Sequence, residues 1–220
     1  MKVDSSIGVI FDMDGVLVDS APAHLRSWRL LAGEHGRSVT DGQFAETFGR
    51  RNGDIIPVLF GQVSAERLKT MSDRKEQLYR DLIRNAPPIV EGAVELIDGL
   101  HRAGARLAVG SSGPLANIEL VLHGMGAADR MTAVVSGDDV THGKPDPQVF
   151  MLCAQQLGLS PSRCVVVEDA PVGVQAARSA GMKSAAILIH HPVSAFSQAD
   201  YTVPRLADLT VERLFRLIEE

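Results

Sequence analysis

The sequence predicts an α/β protein: a doubly wound parallel-sheet core with an inserted all-helical cap. Three observations predict it. From Ile89 onward, short apolar runs alternate with amphipathic helical segments. Between about Ala21 and Asn85 the alternation stops and only helical periodicity remains. The first apolar run, Ile7-Gly8-Val9-Ile10-Phe11, opens directly onto a pair of carboxylates, Asp12 and Asp14, as a buried strand does when its carboxyl end meets a functional loop.

Taken in order, residues 7–11 form the first strand. Helices are expected over 23–36, 41–48 and 64–85, with a weaker one over 52–60 because Pro57 interrupts it. Pro87-Pro88 makes a stiff return connection. A helix over 92–103 carries Val94, Leu96, Ile97 and Leu100 on its apolar side. Strand 106–110, a helix ending near Gly124, strand 133–135 and helix 148–157 follow, the last stopped by Gly158. Strand 164–167, helix 172–180, strand 184–189 and an amphipathic helix over 206–218 complete the chain. Strand–helix alternation implies a parallel sheet covered on both faces, with right-handed crossovers bringing the loops after the strands to one edge. This is a Rossmann-like core of residues 1–20 and 88–220, with a cap of residues 21–87.

The chain has 220 residues, 45% hydrophobic and 22% charged, with a formal charge of −5 and no basic tract. That balance argues against nucleic acid as a partner. Asp12 interrupts the first apolar run, so neither a signal peptide nor a membrane span is expected, and the cytoplasm is the default location. Cys153 and Cys164 read as buried thiols rather than a disulfide. The expected state is a monomer or weak homo-oligomer.

On an extended chain Asp12 and Asp14 point to one side. Like charges so close call for a cation or a shared proton, and Gly15 lets the backbone turn beneath them. Glu168 and Asp169 end another apolar strand and make the same demand. Carboxylates without a Cys/His cluster suit Mg²⁺ rather than zinc. Ser111 and Ser112 lie between a strand and a helix, where a hydroxyl and backbone N–H groups can hold phosphate oxygens. Lys144 precedes Pro145 and Pro147, which stiffen its loop. In the cap, His24 and Trp28 are four residues apart and share a helix face, and Gly49-Arg50-Arg51-Asn52 offers an anion-binding turn. Plain structural readings stand beside these. Asp12 and Asp169 suit helix caps, Ser-Ser-Gly-Pro suits a helix start, and Lys144, Arg50 and Arg51 suit solvated surface.

The segment Asp12-Met13-Asp14-Gly15-Val16-Leu17-Val18-Asp19-Ser20 resembles the opening motif of the haloacid-dehalogenase-like superfamily, and three more pieces follow in that family's order. These are Leu107 to Ser112, Gly143-Lys144-Pro145-Asp146-Pro147, and Val165-Val166-Val167-Glu168-Asp169-Ala170 continuing to Met182. The resemblance implies Asp12 as nucleophile and Asp14 as general acid/base, with the Asp14 carbonyl also on the metal. It implies Ser111, the Ser112 amide and Lys144 on the phosphate, and Asp12, Glu168 and Asp169 around Mg²⁺. The implied activity is a Mg²⁺-dependent phosphatase acting on a small phosphorylated metabolite, a sugar phosphate by preference, through an aspartyl phosphate.

The cap segment His24-Leu25-Arg26-Ser27-Trp28 is similar to that of beta-phosphoglucomutases, so a phosphosugar mutase is the alternative. Against it, if Gly49 aligns with the mutase loop glycine, Phe48 falls where the mutase has Lys and Asn52 where it has Arg, which leaves Arg50 or Arg51 to supply the second anion site. The resemblance suggests His24, Arg50 and Arg51 as cap residues that meet substrate. A further alternative is a phospho-receiver-like or non-catalytic module, although no catalytic group is missing. His142, His190 and His191 show no partner pattern.

Overall fold

Gly8–Phe11 (β1) is buried along its whole length and lies in the middle of a six-stranded sheet. The other strands are Arg106–Gly110 (β2), Met131–Val135 (β3), Cys164–Glu168 (β4), Lys183–Ile187 (β5) and Tyr201–Val203 (β6). Their order is β3-β2-β1-β4-β5-β6, and every pairing is parallel. The molecule is a computed structural model that describes residues 6–47 and 49–220.

Register decides where the chemistry falls. Phe11 pairs with Val109 on one side and Val167 on the other. The chain therefore leaves the sheet at one level in three places: at Asp12, at Gly110-Ser111 and at Glu168. The Asp12 N–H donates to the Val167 carbonyl (2.9 Å) and the Ser111 N–H to the Val135 carbonyl (3.0 Å), fixing two of these exits.

Helices cover both faces. Gln148–Leu157 (α7) and Pro171–Ser179 (α8) pack on one, where Ile10, Ala108, Val166, Phe150, Cys153 and Ala177 share a core. Ala93–Arg102 (α5) and Val211–Glu219 (α9) pack against strands and each other on the opposite face. Leu115–Gly124 (α6) follows the loop after β2. Both cysteines are free and buried.

The chain forms two compact units, one joining the stretch up to Asp19 with Ile89–Glu220, the other being Ser20–Pro88. The second is helical: Ala21–Glu34 (α1), Asp41–Thr47 (α2), Asn52–Phe60 (α3) and Ala65–Ile83 (α4). Its core holds Trp28, Leu31, Phe44, Ile56, Phe60 and Met71. The Ser64 hydroxyl caps α4, accepting from the Arg67 N–H at 3.3 Å.

The weaker helix expected over 52–60 forms as α3 with Pro57 inside it, because the buried side chains of Ile55, Ile56 and Phe60 hold this short helix against its unit. Two elements differ from expectation. β6, only three residues, carries too little pattern to read. The last helix divides into a short turn at Leu206–Asp208 and α9, because Thr210 caps the Arg213 N–H (3.2 Å) and begins a new helix. The expected end of the second cap helix, Phe48, lies outside the described residues.

Candidate active site

At the carboxyl edge of the sheet, Asp12, Glu168 and Asp169 are all buried and each offers a carboxylate oxygen within 4.8 Å of the others. Lys144 reaches them from the loop before α7. Its Nζ lies 2.7 Å from Asp12 Oδ1 and 2.7 Å from Glu168 Oε1. The ring of Phe150 lies beneath the ammonium, 4.8 Å to its centroid.

Glu168 is held on every side. Its Oε2 accepts the Asp169 N–H (2.9 Å) and the Ala170 N–H (2.8 Å) at the start of α8, where the helix dipole favours a negative charge. Gly173, in the first turn of α8, leaves room for it: any Cβ there would overlap the Glu168 carboxylate. Gly15 has φ of +77°, and a Cβ on it would overlap Asp169. The two glycines thus let helix and loop close on two acids.

Asp169 differs from Glu168. It is 5% exposed, yet no described residue donates a hydrogen bond to its carboxylate. Burial, then the charges of Glu168 and Asp12, push its pKa well above the usual carboxylate range. Burial likewise raises Asp12, to about 7, with Lys144 pulling the other way and Glu168 and Asp14 adding to the rise. For Lys144, burial opposes the charge, but Asp12 and Glu168 outweigh it and hold the ammonium above the ordinary lysine value. Three acids thus face one cation, a shortfall of positive charge that a hard divalent ion would make good.

Asp14, two residues past Asp12, is half-buried and is not one of the three clustered acids. A Cβ on Gly113 would lie 3.8 Å from its Oδ2, so it borders the Ser111–Gly113 loop. Ser111 is fully buried, and its hydroxyl accepts the Gly113 N–H at 3.1 Å. Ser112 follows it, half-buried.

The helical unit has its own buried polar cluster, on α1, α3 and α4. Lys75 Nζ lies 2.7 Å from His24 Nδ1 and 2.8 Å from Glu76 Oε1, and Asn52 Nδ2 donates to the same oxygen at 2.8 Å. His24 stacks on Tyr79 with centroids 4.0 Å apart, and Lys75 lies 5.3 Å from the Trp28 ring centroid. Arg50 and Arg51 are exposed. Sequence reasoning singled out His24 and missed Lys75, Glu76 and Tyr79. A signal existed: Lys75 stands in the stripe Met71, Lys75, Tyr79, Ile83, where an apolar residue is due.

An α/β enzyme with its polar cluster at the carboxyl edge of a parallel sheet is the class these features define. The family model for haloacid dehalogenase-like hydrolases matches residues 8–181, and the chain belongs to that family. It is 34% identical to the fructose-1-phosphate phosphatase of Escherichia coli over 178 residues, 80% of this chain and 93% of that protein. It is 31% identical to hexitol phosphatase A of the same organism across 94% of each. A beta-phosphoglucomutase from Clostridium difficile matches with a TM-score of 0.87 at 23% identity, covering 100% of this chain and 98% of the other. At that identity the likeness shows the fold alone. No helix among the described residues is long and apolar enough to cross a membrane.

Proposed function

We propose that the protein is a Mg²⁺-dependent phosphatase of small phosphorylated metabolites, with a phosphorylated sugar or sugar alcohol as substrate class. The observation that carries the chemistry is Lys144 bridging Asp12 and Glu168 beside the donor-less carboxylate of Asp169. The substrate class is supported by the relatives, a fructose-1-phosphate phosphatase and a hexitol phosphatase.

Asp12 attacks phosphorus in line, and the bond from phosphorus to the ester oxygen breaks. Asp14 gives its proton to the departing oxygen. Asp14 then takes a proton from water; the water oxygen attacks phosphorus, the aspartyl–phosphorus bond breaks, and inorganic phosphate leaves. Lys144 holds Asp12 Oδ1, fixes the carboxylate plane and faces the charge that gathers on the phosphoryl oxygens. Ser111 and the Ser112 amide take the phosphate oxygens. Asp12, Asp169 and the Asp14 carbonyl would hold Mg²⁺. Glu168, both of whose oxygens already accept hydrogen bonds, would meet it through water. When bound, the ion supplies positive charge between the carboxylates and the phosphoryl group.

Water rather than a sugar hydroxyl is the favoured acceptor. A mutase must hold a second phosphoryl group; the buried Lys75 of the helical unit is already paired with Glu76, which leaves the exposed Arg50 and Arg51 as the cations for such a site. Asn52, where the mutase has Arg, donates to that same acid.

The test is phosphate release from para-nitrophenyl phosphate and a panel of sugar phosphates, with Mg²⁺ and with chelator, using Asp12→Asn as the blank. Activity that needs Mg²⁺ and falls by about 10³-fold or more in Asp12→Asn is expected. Full activity in Asp12→Asn sinks the reading.

A further inference from the structure

Lys144 is useful only while its ammonium stays between Asp12 and Glu168, yet its backbone belongs to a connection, residues 140–147, whose members are mostly exposed or half-exposed. A loop of that kind places a side chain well only if something ties it down. The tie is Gln148, the first residue of α7. Its Oε1 accepts from the Thr141 N–H (3.0 Å), the His142 N–H (3.0 Å) and the Thr141 hydroxyl (3.1 Å). Two backbone donors aimed at one atom require an acceptor there, so the amide oxygen faces the loop. The Gln148 N–H donates to Asp146 Oδ1 (3.0 Å), and the Asp146 N–H closes back on the Gly143 carbonyl (3.0 Å). One residue thus anchors the loop on both sides of Lys144. Two residues on, Phe150 is fully buried and carries the ring beneath the ammonium. The first turn of α7 therefore holds the loop at both ends and supports its working group.

We propose that Gln148 is the positioning residue for Lys144, setting the ammonium between Asp12 and Glu168 through its hydrogen bonds to Thr141 and His142. The inference rests on the phosphatase reading for its kinetic consequence, but not for its geometry. Gln148 does not touch the reacting atoms. Its contribution is to kcat, because a charge displaced by an ångström or so stabilises the transition state poorly while still attracting an anion.

The test compares Gln148→Met, which keeps length and loses the acceptor, with Gln148→Glu, which keeps it. Both are assayed with para-nitrophenyl phosphate and Mg²⁺, and amide hydrogen exchange is followed at Thr141 and His142. For Gln148→Met, kcat is expected to fall about 10- to 100-fold with KM changed much less, and exchange at both amides to speed up. For Gln148→Glu, kcat and protection are expected to stay near wild type, with KM raised by the added negative charge. Unchanged kcat in Gln148→Met, or an equal fall in Gln148→Glu, overturns the proposal.

Should Gln148→Met not fold, Gln148→Ser is read the same way, since its hydroxyl is too short to reach Thr141. If neither folds, Gln148 holds the fold rather than Lys144, and the proposal also fails. Failure of the phosphatase reading looks different: wild type then leaves the probe intact. In that case the crystal structure of Gln148→Met decides, Lys144 Nζ leaving Asp12 and Glu168 if the proposal holds and staying if it does not.

Discussion

The two units each bury a lysine against a glutamate, and the two sites behave in opposite ways. In the helical unit Lys75 meets Glu76 one to one, with Asn52 donating to the same carboxylate oxygen. Burial pushes the Glu76 carboxyl up, but the charges of Lys75 and His24 and the hydrogen bonds from Lys75 and Asn52 outweigh it and hold it below the ordinary glutamate value. At the sheet edge Lys144 meets Glu168 with Asp12 and Asp169 added, and both aspartates are raised. Equal ingredients give a closed, self-satisfied cluster in one place and an open one, short of positive charge, in the other. On the proposed reading, only the open one is left to take a cation and a phosphoryl group.

The sharpest way to break this contrast is to remove the lysine of the helical unit. Lys75→Met leaves Glu76 buried beside a vanished partner and is expected to cost about 3–5 kcal/mol in urea unfolding. Unfolding within 1 kcal/mol of wild type, on the order of measurement scatter, would show that the pair does not hold the helical unit.

pH separates the sites by sign. A carboxyl held low in the folded state, as in Glu76, adds stability that is complete above its unfolded value and is lost as pH falls through its folded value. Asp12, raised from 3.8 to about 7, does the reverse: the native state keeps a proton the unfolded chain has released, so stability falls as pH rises across that interval. In chelator the protein is therefore expected to be most stable in mild acid, around pH 5, and Mg²⁺ to raise Tm most above pH 7. Thermal melts from pH 4 to 8, with and without Mg²⁺, check this; stability rising steadily to pH 8 in chelator contradicts it.

Smaller effects come from glycine. Gly173→Ala forces a methyl into the Glu168 carboxylate and is expected to cost about 1–3 kcal/mol along with activity. Gly33→Ala, in α1 with nothing within 4 Å of the new methyl, is expected to gain about 0.5–1 kcal/mol and leave turnover alone. Denaturant curves of the two variants should move in opposite directions.

Much of this was legible in the chain because parallel sheets write themselves plainly. β1, β2 and β4 are short apolar runs, and register alone brings Asp12, Gly110 and Glu168 to one level, with Ser111 one residue beyond. The polar cluster of the helical unit was legible only in part: His24 stood out and Lys75 left a signal in its apolar stripe, but the pairing with Glu76 and Asn52 exists only once the helices pack. Gln148 was hidden for another reason: its work is done by a side-chain amide on backbone N–H groups, which leaves no pattern of residue types. β6 fails on length, and the division of the last helix turns on one hydroxyl, that of Thr210.

Titrating Mg²⁺ into the protein at pH 7.5 in a calorimeter, with Asp169→Asn run alongside, tests most directly whether the sheet-edge acids await a divalent ion. Binding of one ion per chain with proton release is expected in wild type, because Asp12 and Asp169 hold protons more tightly than ordinary carboxylates, together with loss of most affinity in Asp169→Asn. Absent binding in wild type, or equal binding by the variant, would contradict it.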